Sequence, residues 1–272
     1  MTFSVKNYLN SVGLAEIVFY PRWATQPDPD SFLGNILEIP VSSDAQIGGI
    51  FFKNAPDVPT LLFFHGNGEI AQDYMFQIEN FLGCGVNVVI VDYRGYGFGT
   101  GSPTVLNMIE DSPTIYTFIK NFLIDQEFLP KIFLMGRSLG CIPAAKLASL
   151  NHPEVIGVIF ESAFADTVKL FQNLFRINLS GMKLTDFNPW SNISFIPKIQ
   201  SPTLILHGTQ DLIIPFPNGK EIYDLLSDSV RKKFIPIEGA QHNDIHASED
   251  QYFGALQSFT QQEFHRTTLF SK

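Results

Sequence analysis

Cysteine is nearly absent, with Cys84 and Cys141 the two in 272 residues. Two thiols cannot build a disulfide scaffold or a cysteine-based zinc site, so a disulfide-free intracellular protein is the default expectation. Positive charge is also short. Eighteen Lys and Arg stand against 27 Asp and Glu, for a formal net charge of −9, and the longest basic run is Arg231-Lys232-Lys233. A surface that tracks a phosphate backbone needs more than that, so nucleic acid is not expected as a partner. Long apolar runs are missing too. Those present, such as 86–91 and 203–206, suit buried strands and fall far below the ~20 residues of a transmembrane helix. Lys6, Asn7, Asn10 and Glu16 interrupt the first twenty residues. No secretory leader is read there, and a soluble, cytoplasmic protein is expected. No internal repeat or Gly/Ser linker divides the chain, which reads as one domain over 1–272.

Hydrophobic residues make up 45% of the chain and charged residues 17%, ample for one sizeable core. Apolar runs at 36–40 and 46–52, joined by Ser42-Ser43-Asp44, read as an antiparallel hairpin. Runs at 60–64, 87–91, 131–135, 155–160, 203–206 and 233–237 read as buried parallel strands. Between and after them lie helical patterns at 70–82, 104–123, 139–150, 219–226 and 249–264. Strands alternating with helices predict an α/β fold, a mostly parallel sheet covered on both faces. The alternation breaks at 164–201, a stretch rich in Phe and without a clear strand. A connection that long points to a small helical cap over the C-terminal edge of the sheet. An excursion whose aromatics merely pack on the core fits the same composition.

Chemistry concentrates at junctions after strands. Gly136-Arg137-Ser138-Leu139-Gly140 is a G-x-S-x-G sequence between a strand and a helical pattern. A serine on such a turn is held clear of the sheet at a helix N-terminus, where developing negative charge is favoured. The same position would also suit an N-cap. A serine nucleophile needs a base and the base needs a carboxylate. Of six histidines, His65 and His207 read as strand-end residues, and His152 and His265 lie in polar surroundings. His242, in the loop after the last strand, is the candidate base; Asp211, in the loop after the strand before it, is the candidate acid. Two backbone N–H groups would hold an oxyanion: that of Leu139, and that of Asn67 in the turn His65-Gly66-Asn67-Gly68. Each such donor is typically worth ~3 kcal/mol of transition-state stabilisation.

Rival motifs fail on spacing. The glycines at 95, 97, 99 and 101 do not make G-x-G-x-x-G, and there is no G-x-x-x-x-G-K-[ST] loop. His242 and His246 have the separation of a zinc pair, but Asn243 replaces the glutamate of H-E-x-x-H. No metal or organic cofactor is expected. Cys141 reads as a small core residue.

With these residues in place the chain resembles the α/β-hydrolase superfamily over about 35–265, and more narrowly its Bem46-like group, which includes depalmitoylases of the α/β-hydrolase-domain class. The likeness rests on His65-Gly-Asn-Gly-Glu69, Asp92-Tyr-Arg-Gly-Tyr-Gly97, Gly136-Arg-Ser-Leu-Gly140, Asp211-Leu-Ile-Ile-Pro215 and Gly239-Ala-Gln-His-Asn-Asp244. Gly99 and Ala163 depart from it, standing where serine and proline are usual. The resemblance implies an eight-stranded, mostly parallel sheet and a serine hydrolase acting on esters or thioesters without a metal or cofactor. The Phe-rich cap suits a small-molecule or acylated substrate with an apolar chain. Two other readings stay open. One is a serine aminopeptidase using Glu161, Asp166 or Asp186 to hold an amine; the other is a non-catalytic ligand-binding member of the fold.

Overall fold

Apolar runs become strands here wherever both of their faces are covered. A computed structural model of the chain describes residues 4–30, 33–179 and 182–269. β1 (Asn35–Ser42) and β2 (Ala45–Phe52) form the antiparallel hairpin. β3 (Thr60–Phe64), β4 (Asn87–Val91), β5 (Ile132–Arg137), β6 (Val155–Glu161), β7 (Thr203–Gly208) and β8 (Lys232–Ile237) follow. They form one eight-stranded sheet in the order β1-β2-β4-β3-β5-β6-β7-β8, parallel from β4 to β8. Every residue of β3, β4, β5, β6 and β7 is buried, which is why these strands read as continuous rather than alternating apolar runs.

The helices divide between the two faces. Leu62, Phe64 and Leu134 share a core with α4 (Val105–Asp125) and α5 (Cys141–Ala148). Leu61, Phe63 and Phe133 share the opposite core with α3 (Ile78–Gly83) and α9 (Glu249–Leu269). α4 begins where a reciprocal cap allows it: Thr104 Oγ1 accepts from the Asn107 N–H at 3.0 Å, and Asn107 Oδ1 accepts from the Thr104 N–H at 2.8 Å. α8 (Pro217–Leu225) starts on a proline, whose missing N–H costs nothing in the first turn.

Several boundaries differ from the sequence reading. β5, β6 and β7 run one or two residues further, because ladder pairing continues past the apolar run, as in Arg137 with Glu161 and Gly208 with Ile237. The 70–82 helix is a 3-10 turn (Ala71–Gln77) followed by α3; the Asp92 carboxylate anchors its start by accepting the Ala71 N–H at 2.8 Å. The helix after the G-x-S-x-G motif likewise opens with a 3-10 turn, Ser138–Gly140. The segment expected to cap the sheet holds α6 (Thr167–Leu174), α7 (Asn192–Phe195) and 3-10 turns at Leu184–Trp190 and Ile196–Lys198. Ahead of the sheet lie two helices the sequence reading left unassigned. α1 (Val5–Leu9) is capped by Ser4 and buries Val5 and Leu9; α2 (Val12–Val18) is capped by Ser11 and buries Leu14 and Val18.

Among the described residues no helix is long and apolar enough to cross a membrane.

Candidate active site

The parallel strands end along one rim, and the candidate residues hang from it. Ser138 immediately follows β5 in the left-handed region, φ 51°, a costly conformation for a non-glycine residue. The turn is closed so tightly that its flanking glycines are obligatory. A Cβ on Gly136 would meet the Gly140 carbonyl oxygen at 2.5 Å, and one on Gly140 would meet the Phe64 carbonyl oxygen at 2.1 Å. That crowding turns the serine outward. Its Oγ lies 3.0 Å from His242 Nε2, and His242 Nδ1 lies 2.7 Å from Asp211 Oδ2. With Nδ1–H donating to the carboxylate, Nε2 is left as the acceptor for the serine proton.

Asp211 is fixed by its own loop. Its Oδ1 accepts the N–H groups of Ile213 and Ile214 at 2.9 and 2.8 Å, leaving Oδ2 to His242. Burial would raise the Asp211 pKa, but the hydrogen bond and charge of His242 hold it below the ordinary carboxylate value. His207 lies 3.6 Å from the same Oδ2 and bonds the Ile214 carbonyl through Nε2 at 2.8 Å. Burial lowers its pKa below 6.5 against the pull of those neighbours, so neutral His207 does not compete for the Asp211 charge at neutral pH.

A cavity of about 290 Å³ opens beside Ser138 and His242, with Asn67 and Leu139 on its wall. Leu170, Leu174 and Phe175 border it from the 164–201 segment, facing Ile213 and Ile214. Of the aromatics that drew attention to that segment, Phe175 reaches the cavity, while Phe164, Phe171, Phe187 and Phe195 are buried in the core. His65 is buried and lies 3.2 Å from Asp92, and His246 lies 3.0 Å from Glu161. His242 and His246 therefore face different carboxylates. His152, expected in polar surroundings, is half-buried and stacked on Tyr116 at 4.3 Å. Burial pushes the Cys141 thiol up to about 12, far from nucleophilic at neutral pH.

Sequence reasoning missed the ionic layer under the site. Arg137, 5% exposed, donates to Glu69 Oε1 at 2.8 Å and to Glu161 Oε1 at 2.7 Å. It also donates to the His242 carbonyl at 3.0 Å and to Asn243 Oδ1 at 3.2 Å. Glu69 in turn accepts the Gly66 N–H at 2.7 Å, on the turn that carries Asn67. One guanidinium therefore ties the histidine loop and the Asn67 turn to the residue before the serine. A signal was available: Arg137 and Glu161 end two adjacent, otherwise apolar strands in register.

A doubly wound sheet with a serine at a strand-to-helix elbow, facing histidine and aspartate loops from later strands, defines an α/β-hydrolase architecture. Comparisons with known proteins agree. A family profile described as "Serine aminopeptidase, S33" matches residues 56–186. Human α/β-hydrolase domain-containing protein 17B is 31% identical over 233 residues, covering 82% of this chain and 73% of its own length. The Caenorhabditis elegans α/β-hydrolase domain-containing protein aho-3 is 32% identical over 211 residues, covering 75% of this chain. The chain spans 58% of aho-3 and 65% of mouse protein 17C, less than two thirds of either. Among solved structures, the Pyrococcus furiosus esterase Pf2001 superposes with a TM-score of 0.71 at 19% identity, over 90% of this chain and 99% of its own. That likeness shows the fold. The chain belongs to the α/β-hydrolase superfamily, within its α/β-hydrolase domain-containing group.

Proposed function

We propose that this protein is a serine hydrolase of carboxylic esters or thioesters, built as a single domain with residues 164–201 as its cap. Ser138 Oγ attacks the acyl carbonyl while its proton passes to His242 Nε2, and Asp211 stabilises the imidazolium. The N–H groups of Leu139 and Asn67 hold the oxyanion. The proton then goes to the leaving alcohol or thiol, and water activated by His242 releases the acid and frees Ser138. This chemistry calls for neither metal nor cofactor. A small-molecule or acylated substrate and a cytoplasmic setting belong to the same reading.

The observation that carries it is the continuous Ser138–His242–Asp211 contact, at 3.0 and 2.7 Å, on the wall of a cavity. The apolar lining from Leu170, Leu174, Phe175, Ile213 and Ile214 supports an aliphatic acyl group. An aminopeptidase would need an unpaired carboxylate in the cavity for the substrate amine. Asp166 instead caps α6, Glu161 is engaged by Arg137, His246 and Tyr252, and Asp186 is exposed on the 184–190 turn. Glu69 borders the cavity but is paired with Arg137 and accepts from Tyr74 and the Gly66 N–H.

A fluorophosphonate probe separates a working enzyme from a binding protein on the same fold. The wild type should label covalently and Ser138→Ala should not, while losing ~10³-fold or more in kcat on a chromogenic ester. Equal turnover by wild type and Ser138→Ala would end the assignment.

A further inference from the structure

The chain ahead of β1 is built into the site. α2 ends in the core at Val18 and Phe19, both buried, and the backbone then crosses the Asn67 turn. The Asn67 side chain is gripped on both sides. Its Nδ2 donates to the Val18 carbonyl at 2.6 Å, and its Oδ1 accepts from the Tyr20 N–H at 3.0 Å and the Tyr96 hydroxyl at 2.8 Å. Beyond Tyr20, Arg22 donates to the Gly68 carbonyl at 3.1 Å and pairs with Asp73. Backbone bonds from Gly97 N to Arg22 O and from Ala24 N to Gly97 O, both 2.8 Å, pin the far end. Tyr20 is thus keyed on both sides to the turn proposed to hold the oxyanion.

Tyr20 borders the cavity yet stays 60% exposed. A tyrosine that far out contributes little to the core, so its place on the cavity wall calls for another explanation. The same cavity is lined by the apolar Leu170, Leu174, Phe175, Ile213 and Ile214 as well as by the polar groups around Ser138. Residues 56–186, which match the hydrolase profile, do not include it.

We infer that Tyr20, its backbone held by Asn67, is a specificity-determining residue that packs its ring against the apolar chain of the substrate. This rests on the hydrolase reading above and adds to it a wall that the hydrolase motifs do not contain. The Asn67 bond fixes the Tyr20 backbone and the side chain turns about two χ angles only, so little entropy is lost when the ring meets a methylene chain. The contribution grows with chain length, because each methylene brought against the ring leaves water.

The test compares kcat/KM on p-nitrophenyl acetate and octanoate for wild type, Tyr20→Ala and Tyr20→Phe. Tyr20→Ala should lose about fivefold more on octanoate than on acetate, mostly through KM, the scale of a partly covered chain. Tyr20→Phe should keep the wild-type ratio, because the ring and not the hydroxyl makes the contact. Equal losses on both esters, or a Phe variant that behaves like the Ala variant, would overturn the inference. The prior reading has its own failure, a wild type that neither labels nor turns over, so the two are distinguishable. Tyr20 is exposed enough for both variants to fold, and matching melting curves would verify it.

Discussion

Replacing Arg137 with methionine tests the ionic layer directly. The side chain keeps most of its apolar volume but loses four donor contacts: Glu69, Glu161, the His242 carbonyl and Asn243. Burial disfavours the Arg137 charge, yet Glu161 and Glu69 hold its pKa well above the ordinary value, so it stays a cation shared between the two carboxylates. Glu161 has no solvent exposure and keeps Tyr252 at 2.6 Å and His246 at 3.0 Å; Glu69 keeps Gly66 and Tyr74. Those contacts satisfy lone pairs but do not replace the guanidinium. Breaking a buried pair by removing one partner costs about 3–5 kcal/mol. At ~2–4 °C per kcal/mol for a chain of this size, the melting temperature should fall by roughly 6–20 °C. Urea unfolding with linear extrapolation measures the loss. In a double-mutant cycle, Arg137→Met with Glu161→Gln should cost less than the sum of the singles, because the second change removes the charge stranded by the first. A single variant within about 1 kcal/mol of wild type, or a strictly additive double, would refute the reasoning. Folded Arg137→Met should also lose kcat, since the His242 loop is no longer tied to the serine turn.

Two further perturbations follow from the same geometry. Burial would raise Glu161, but facing His246 and Arg137 pull its carboxyl from 4.5 down to about 2. A carboxyl depressed in the fold contributes stability above its unfolded pKa, and that contribution is lost as pH falls from about 4.5 towards 2. The shift corresponds to about 3 kcal/mol, so stability from urea titrations should fall more steeply with acid in wild type than in Glu161→Gln. Parallel profiles would contradict the assignment. Gly140→Ala places its methyl carbon 2.1 Å from the Phe64 carbonyl oxygen, a backbone atom that cannot swing aside. That variant should lose fluorophosphonate labelling and destabilise by more than about 3 kcal/mol, in the range of severe core strain; near-wild-type labelling would mean that the elbow is looser than its contacts imply.

What the sequence disclosed and what it concealed divide along a physical line. Continuous apolar runs such as Thr60–Phe64 and Asn87–Val91 betray central parallel strands because both faces are covered. Ser138 was legible because a short turn writes its steric demands into adjacent glycines, and Asp211 and His242 because each follows a strand. Contacts between side chains far apart in the chain leave no such local trace. Tyr20 meets Asn67 across 47 positions, and Arg137 meets Glu69 across 68, with nothing in either neighbourhood to announce the partner. Arg137 was overlooked because it fills a motif position that tolerates any residue. Arg137 is the last residue of β5 and is buried, so its charge must find a buried counter-charge or destabilise the elbow. Opposite charges at the paired ends of β5 and β6 meet that need, and this makes the ionic layer a condition of the serine's position rather than an ornament to it.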